Sequence, residues 1–349
     1  MRASFVSIVA AALAAAALVS AALPDTINVN VRNLGPEDSV FDRTRSVFYQ
    51  SNLYKGSIEV YDPRRRSHFN VRIDGVSSDG SGDQQMSGLS LSTHDNAKYL
   101  YAVCKNSKSF DFSNQKSHGA NSFHRFSLPL SPQSKPDWSV DLSKAQDQWE
   151  HKTGTRPFGS VQSAQDSDGN SYVVFELGMA AITKIDSSGK KIEAWAHEKG
   201  ADSQRPGYSG ITFDPSTNRI IAFGGPRPLT AFDVKSQNPK PQPVKINGDF
   251  GSLEGTEKIV TIPRGTNQVL VGARAPNAIS FFTRDNWKSA DMHMTKRNEL
   301  QNSGFTAVTD YYQGAEQGIY ASSAYFQNGA HGGRDNYPLY KLDASILDF

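Results

Sequence analysis

The sequence predicts an all-β protein folded as a six-bladed β-propeller, and three observations indicate this fold. A unit of three short apolar strands, with a polar turn after the first, recurs six times. The units start near residues 38, 88, 159, 209, 255 and 304, a spacing of about 45 to 50 residues that suits one four-stranded blade. Within the strands, apolar and polar residues alternate with period two, as in 58–61, and long helical patterns are nearly absent.

The units differ mainly in their insertions. In the first unit the strands are predicted at 39–42, 47–51 and 57–62. The second unit is the longest, with about 72 residues before the next begins, because polar insertions interrupt it. Residues 142–151 predict a short helix within this stretch. A parallel β-helix would repeat at about half this length, and a two-sheet sandwich would not repeat the unit six times.

A strand at 26–31 precedes the first unit and has no hairpin partner of its own. A propeller needs its last blade to meet its first, since an open ring would leave a free sheet edge. We therefore expect this strand to complete the last blade beside the C-terminal segment.

The first 22 residues predict a secretory signal peptide. Residues 6–19 form an almost unbroken apolar run that is too short to span a bilayer, and small residues at 19–22 suit cleavage after Ala21 or Ala22. We expect the propeller to occupy residues 23–349, and the mature protein to be secreted or to lie in the lumen of the secretory pathway.

Composition excludes several partners. The chain of 349 residues has a formal net charge of +2, which gives no strong attraction to nucleic acid or to an anionic membrane. Arg64, Arg65 and Arg66 form the only tight basic run, which we interpret as a solvated turn. Cys104 is the single cysteine, ends an apolar run and is expected to be a buried structural thiol. The mature protein is expected to be a monomer that binds neither nucleic acid nor membrane.

Propeller geometry predicts which residues share a face. Residues just before the first strand and just after the second strand of every blade meet at one end of the central channel. Three glutamates fall there and are the candidate catalytic residues: Glu37, Glu176 and Glu254. The candidate substrate-binding residues at the same end are Asn52, Tyr54, Lys105, Phe158, Tyr208, Arg274, Tyr325 and His331. Insertions at 106–121 and 327–336 extend over this end as candidate lids.

Carboxylate acid–base chemistry is the reaction that these residues best permit. The sequence has no glycine-rich phosphate loop, no His-Glu-x-x-His and no Gly-x-Ser-x-Gly. A glutamate desolvated at the channel mouth would hold its proton near neutral pH and donate it to a leaving hydroxyl group. Together with the aromatic side chains, this predicts a small hydrophobic, oxygenated metabolite as the ligand.

Residues 35–42 (GPEDSVFD) and 48–56 (FYQSNLYKG) carry a resemblance to known families. The chain resembles the gluconolactonase and strictosidine-synthase-like superfamily of six-bladed propellers, and more closely the fungal trichothecene-cluster propeller proteins. The second resemblance implies work on an oxygenated terpenoid, such as an acid-assisted loss of hydroxyl with ring closure. In the lactonases, divalent-metal ligands lie at the starts of first strands, and Glu37 matches the first of them. The later Asn and Asp ligands are missing, so Glu37, Asn52 and Glu254 are the residues left to hold Ca²⁺ or Mg²⁺.

Three functions remain open on the sequence. The first is an enzyme of fungal secondary metabolism, a cyclase, dehydratase or isomerase that acts through its glutamates. The second is a secreted binding or virulence-associated propeller without turnover, which predicts an exposed aromatic patch on the lid loops. The third is a metal-dependent lactonase or esterase-like hydrolase. Apart from the metal alternative, no cofactor is expected.

Overall fold

The computed structural model describes residues 22–92, 96–198, 207–264 and 267–349. Its strands form six sheets in the order expected for six consecutive blades, which confirms the predicted propeller. The predicted signal peptide lies outside the described residues, except for Ala22. The helices within the described ranges are all too short or too polar to span a bilayer.

The blades are numbered along the chain, and β1 (Thr26–Ile27) precedes the first. Blade 1 contains β2 (Pro36–Asp42), β3 (Val47–Asn52), β4 (Ser57–Asp62) and β5 (Ser67–Arg72). Blade 2 contains β6 (Gln84–Leu91), β7 (Tyr99–Asn106), β8 (Ser122–Ser127) and β9 (Trp138–Asp141). The helix α1 (Ser143–Thr153) follows, and then blade 3 with β10 (Phe158–Gln165), β11 (Ser171–Leu177), β12 (Ala181–Ile185) and β13 (Ile192–His197).

The second half of the ring continues the same pattern. Blade 4 contains β14 (Tyr208–Asp214), β15 (Arg219–Gly224), β16 (Leu229–Asp233) and β17 (Gln242–Pro243). Blade 5 contains β18 (Lys245–Asn247), β19 (Thr256–Arg264), β20 (Asn267–Arg274), β21 (Asn277–Phe282) and β22 (Ser289–Lys296). Blade 6 contains β23 (Phe305–Gln313), β24 (Glu316–Ser323) and β25 (Leu339–Lys341). Short 3₁₀ helices lie at Asn298–Leu300, Phe326–Asn328 and Ala344–Leu347.

The two ends of the chain close the ring. Strand β1 pairs antiparallel with β25, with Thr26 opposite Tyr340 and Ile27 opposite Leu339. This confirms the predicted closure, although the paired segment is shorter than 26–31. Beyond Ile27 the chain leaves the sheet and buries Val29 and Val31 in the apolar cluster between blades 6 and 1. Blade 6 therefore depends on the N-terminal segment for its outer edge.

Strand β18 is a fifth strand that the sequence pattern did not reveal. It pairs parallel with β22, with Lys245 opposite Ser289, whereas every other strand pair described is antiparallel. A run of three residues is too short to carry a recognisable strand signal. The strand covers the outer edge of blade 5, which is the usual way in which a sheet edge is protected.

Each first strand carries an irregularity close to its start. The register between first and second strands shifts in all six blades, for example between Pro36 and Ser39 and between Tyr208 and Gly210. A bulge of this kind reverses the alternation of side chains above it. The residues at the loop-rich end therefore do not follow the alternation of the strands below.

Glycines let neighbouring first strands approach closely around the channel. A Cβ atom on Gly88 would lie 2.3 Å from the carbonyl oxygen of Val161, and one on Gly210 would lie 2.6 Å from that of Glu257. No side chain fits at either position, so substitution would force the blades apart.

The interior of the channel holds charges that the sequence analysis did not predict. First strands of all six blades line a cavity of about 190 Å³ that contains Lys258 and Asp310. The buried Lys258 ammonium pairs with the buried carboxylate of Asp38 and donates to the Ser39 carbonyl at 3.0 Å. Burial raises the pKa of Asp38 although Lys258 opposes this, and burial raises the pKa of Asp310 to about 6.

Aspartates at the ends of first strands hold the turns that join first to second strands, at the end of the ring away from the loop-rich end. Asp166 accepts hydrogen bonds from the amides of Asp168 and Asn170, at 3.0 and 2.9 Å, and from the Tyr172 hydroxyl group at 2.9 Å. Asp42 has the same role in blade 1, where it accepts from the Arg45 amide at 3.0 Å and from the Tyr49 hydroxyl group at 3.2 Å. These carboxylates are satisfied by their own turns.

Cys104 lies in β7 and is fully buried, as predicted from its apolar context. Burial raises the pKa of its thiol to about 12, with a smaller opposing effect from a hydrogen bond to Ser122. A thiol that stays protonated is a poor nucleophile, so Cys104 has a structural role.

His124 makes folding sensitive to acid. Its ring is buried between the hydroxyl groups of Ser122 and Ser139, each 2.8 Å from a ring nitrogen, and burial lowers the pKa of His124 to about 4. The folded state favours neutral histidine, so the stability that His124 contributes is fully present above pH 6.5. As the pH falls from 6.5 toward 4, the free energy of unfolding loses this contribution, which is about 3 kcal/mol in total.

We expect His124→Gln to flatten the dependence of stability on pH over this interval. The measurement is urea unfolding of the parent and of the variant at pH 7 and pH 4.5. Asp310 acts in the opposite direction, because its protonation becomes favourable in the folded state as the pH falls below about 6. The difference between parent and variant isolates the histidine, and equal pH slopes would show that His124 has no such role.

Candidate functional site

A large cavity lies at the loop-rich end of the ring, where second strands end and first strands begin. Its volume is about 890 Å³. It is lined by Phe112, Gln115, Glu176, Gly207, Ser209, Gly225, Ser252, Leu253, Glu254 and Thr256. These residues come from blades 3, 4 and 5 and from the insertion in blade 2. The end of the ring predicted from strand register therefore contains a cavity of the size that small ligands occupy.

Two of the three candidate catalytic glutamates line this cavity. Glu176 is near the end of β11, and its carbonyl group accepts a hydrogen bond from the Gly207 amide at 3.1 Å. Glu254 lies in the loop before β19, where its amide donates to the Ser252 hydroxyl group at 2.9 Å. Two glutamates thus line one cavity together with three hydroxyl-bearing residues.

Arg274, a candidate ligand-binding residue, supports this loop. Its guanidinium group donates to the Ser252 carbonyl at 2.7 and 3.2 Å and lies 4.8 Å from the centre of the Phe250 ring. These contacts hold the segment that carries Ser252 and Glu254 in place.

The third glutamate is neutralised by a candidate binding residue. The Lys105 ammonium donates to Glu37 at 2.5 Å, and both side chains are largely buried. The ammonium also lies 4.4 Å from the centre of the Phe110 ring, and Phe110 contacts Phe112 at 6.4 Å between ring centres. The Glu37–Lys105 pair is therefore connected to the cavity through Phe110 and Phe112, of which Phe112 lines the cavity. One oxygen of the Glu37 carboxylate is thus occupied by the Lys105 ammonium group.

The remaining candidate residues are spread around the same end of the ring. Tyr54 donates to the Phe326 carbonyl at 3.0 Å, and Phe158 is partly buried at the start of β10. Tyr208 is fully buried and donates to Glu198 at 2.8 Å. Tyr325 is buried beneath the Arg334 guanidinium group, at 3.5 Å from the ring centre. His331 is exposed in its loop, near Gly80.

Tyr208 and Tyr325 thus belong to the packed interior, and neither lines the cavity. The bulge between Tyr208 and Gly210 explains why Tyr208 is buried, since it directs the Tyr208 side chain into the apolar cluster between blades 3 and 4. Conversely, Ser252, Leu253 and Thr256 line the cavity but were not chosen from the sequence. Their only sequence signal is their position just before and at the start of the fifth first strand.

The structure does not bring the three candidate metal ligands together around one cavity. Glu37 is paired with Lys105, so a cation there would meet a like charge. Glu254 lines the large cavity, whereas Glu37 and Asn52 do not. Within the described ranges, no group of three or more His, Cys, Asp or Glu side chains is arranged to hold a metal ion. Glu37 Oε2 and Asn52 Oδ1 are buried without a hydrogen-bond partner in the protein, whereas Glu37 Oε1 accepts from the Lys105 ammonium group.

Fold and site together define a six-bladed β-propeller with a ligand-sized cavity at its loop-rich end. The chain belongs to the Mal s 1 allergenic protein-like family, whose model matches residues 12–305. Major allergen Mal f 1 of Malassezia furfur is 67% identical over 347 residues, which is 98% of this chain and 99% of that protein. The crystal structure of the major Malassezia sympodialis allergen Mala s 1 matches with a TM-score of 0.93 and 68% identity, over 94% of this chain and 98% of that chain.

A gluconolactonase from Xanthomonas campestris shares the fold alone, with a TM-score of 0.52 and 9% identity over 91% of this chain and 89% of that chain. The predicted relation to gluconolactonase-like propellers is therefore confirmed at the level of fold. The closer resemblance to trichothecene-cluster proteins is not supported, because the relatives that match over nearly the whole chain are Malassezia allergens.

Proposed function

We propose that this protein is a non-catalytic binding propeller that holds a small, oxygenated molecule with an apolar part at the loop-rich end of its ring. The observation that carries the proposal is the cavity of about 890 Å³, which Phe112 and Leu253 line together with hydroxyl- and carboxyl-bearing residues. Its size suits a small organic ligand, and its mixed lining suits one that combines apolar surface with polar groups.

The exposed aromatic residues support binding at this end. Phe112 and Phe326 are 62% and 46% exposed, and both belong to loops at the cavity end of the ring. Phe112 also lines the cavity, so its ring is available to a ligand there. The second hypothesis from the sequence predicts exposed aromatic side chains on the lid loops.

The arrangement of the glutamates favours binding over turnover. Glu37 is held in an ion pair and does not line the cavity with Glu176 and Glu254. The proposal therefore includes neither an acid-assisted cyclase nor a role in trichothecene biosynthesis.

Phe112→Ala is expected to weaken ligand binding about five- to tenfold while leaving the melting temperature unchanged, because an exposed ring contributes contact area rather than core packing. The measurement is isothermal titration calorimetry with farnesol and dodecanol as probes. Phe349→Ala is the matched control, since Phe349 is 44% exposed and stacks on Phe282 outside the cavity.

Three results would count against the binding proposal. One is equal binding by the parent and by Phe112→Ala. Another is stabilisation by CaCl₂ or MgCl₂ alone in a thermal-shift assay, which favours the lactonase alternative. The third is a converted product that disappears in Glu176→Gln and Glu254→Gln, which shows an enzyme.

We further propose that the protein is secreted and that cleavage follows Ala22. The amide nitrogen of Leu23 lies 3.3 Å from Glu316 Oε2, and the Leu23 side chain is buried. A new α-ammonium group at Leu23 would therefore form beside a carboxylate. Secretion from a fungal host followed by N-terminal sequencing is expected to give a chain that starts at Leu23. An intact Met1 in the secreted or cellular protein would contradict the proposal.

A further inference from the structure

A second cavity lies at the seam where blade 6 meets blade 1, away from the ligand cavity described above. Its volume is about 310 Å³, which suits one sugar-sized ring. The lining combines the N-terminal segment, the turn after β4 and the end of β23: Pro24, Thr26, Ile27, Asn28, Asn30, Tyr61, Pro63, Arg64, Arg66, Tyr311 and Gln313. The cavity therefore forms only when the ring is closed.

Positive charge is concentrated around this cavity. Arg64 and Arg66 line it, and neither has a carboxylate within salt-bridge distance among the described residues. The nearby Asp62 accepts the amides of Arg64 and Arg65 at 2.9 and 3.0 Å and lies 3.7 Å from the Arg65 guanidinium group. In a chain whose net charge is only +2, two unpaired guanidinium groups in one cavity favour an anion.

The conformation of Arg66 is unfavourable for an ordinary side chain. Its φ is 54°, in the left-handed region that Gly and Asn adopt most readily. Five of the ten described non-glycine residues with positive φ are asparagines, and Arg66 is the one charged residue among them. The guanidinium group is nevertheless close enough to Tyr61 to oppose the rise in the pKa of that phenol that burial causes. The same left-handed φ occurs at Ser46 and Asn218, which close other hairpin turns, so it belongs to the turn that carries Arg66.

The other lining groups suit a polyhydroxylated ring. Asn28 and Asn30 are exposed, and Gln313 is partly exposed, so their amides can donate to hydroxyl groups, although Asn28 Oδ1 already accepts from Asn336 at 2.8 Å. The rings of Tyr61 and Tyr311 form the buried wall. Amides, guanidinium groups and aromatic rings together recognise hydroxyl groups, an oxyanion and the apolar face of a sugar.

We propose that this seam cavity binds an acidic sugar, a pyranose ring that carries a sulfate or a carboxylate group, with the oxyanion on Arg64 and Arg66. Because the ligand would contact the N-terminal segment, blade 1 and blade 6 at once, its binding also stabilises the closed ring.

Isothermal titration calorimetry tests the site with N-acetylglucosamine 6-sulfate and glucuronate as probes, and with N-acetylglucosamine and sodium sulfate alone as reference ligands. We expect an acidic sugar to bind at least tenfold more tightly than either reference. Arg64→Gln and Arg66→Asn are each expected to weaken binding about tenfold, as for the loss of one charge-assisted contact. Arg65→Gln is the matched control on the same turn, because Arg65 is exposed like Arg64 and Arg66 but does not line the cavity.

Arg66→Asn separates binding from folding. Asparagine tolerates the left-handed conformation, so the melting temperature of this variant is expected to equal or exceed that of the parent while affinity falls. The proposal is overturned if the acidic sugars bind no better than N-acetylglucosamine, if sulfate alone binds as tightly, or if Arg65→Gln weakens binding as much as Arg64→Gln. Binding of farnesol at the other end of the ring should be unaffected in all three variants.

Discussion

Lys258→Met is expected to lower the free energy of unfolding by about 3 to 5 kcal/mol at pH 7, because it leaves the carboxylate of Asp38 buried without its cation. The loss is expected to shrink as the pH falls. Burial already raises the pKa of Asp38, and removing Lys258 raises it further, so the carboxyl group protonates at a higher pH in the variant. Urea unfolding at pH 7 and pH 4.5 measures both effects.

Two further variants show whether the ion pair is the cause. Lys245→Met removes an exposed lysine from β18 and is expected to change stability by less than about 0.5 kcal/mol. Lys258→Met combined with Asp38→Asn removes both charges, while an amide oxygen remains to accept from the Leu89 amide, which donates to Asp38 at 2.7 Å. This double variant is expected to recover part of the loss. A deficit in Lys258→Met that does not depend on pH would contradict the explanation.

Val29→Asp is expected to destabilise the protein by roughly 4 kcal/mol and to lower the melting temperature by about 10 °C, since it places a carboxylate in the cluster that closes the ring. Val29 is completely buried, and its carbonyl group accepts from the Tyr337 amide at 2.9 Å. With the N-terminal segment displaced, β25 becomes a free sheet edge, so aggregation on heating is also expected.

Asn30→Asp is the matched control for this prediction, because Asn30 is exposed in the same segment. It is expected to change the melting temperature by about 2 °C or less. Differential scanning calorimetry with light scattering measures melting and aggregation together. Equal melting temperatures for the parent and for Val29→Asp would mean that the N-terminal segment does not hold the ring closed.

The ring could be predicted from the sequence because each blade keeps its own short-range signals. Alternation such as that of β4, and a turn with Asp or Gly after each first strand, are local features that tertiary packing does not override. The closing strand was also predictable, since a strand without a hairpin partner at one end of the chain must pair with the other end. Strand β18 was not, because its parallel pairing with β22 depends on the path of the chain between blades 4 and 5.

The site could be predicted only to the level of the face. Strand order brings Glu176 and Glu254 to one end of the ring, whichever way their side chains point. Side-chain direction there depends on the bulge in each first strand, which period-two alternation does not reveal. For this reason Tyr208 was assigned to the ligand site although it is buried. Likewise, the adjacent acids Glu37 and Asp38 point to different partners, Lys105 and Lys258.

A crystal structure of the protein with bound farnesol tests most directly whether the loop-rich end of the ring is the ligand site. The account predicts electron density for the ligand between Phe112, Leu253 and Thr256, with its hydroxyl group within hydrogen-bonding distance of Glu176, Ser209 or Glu254. Ligand density confined to another surface, with this cavity filled by the protein's own side chains, would contradict it.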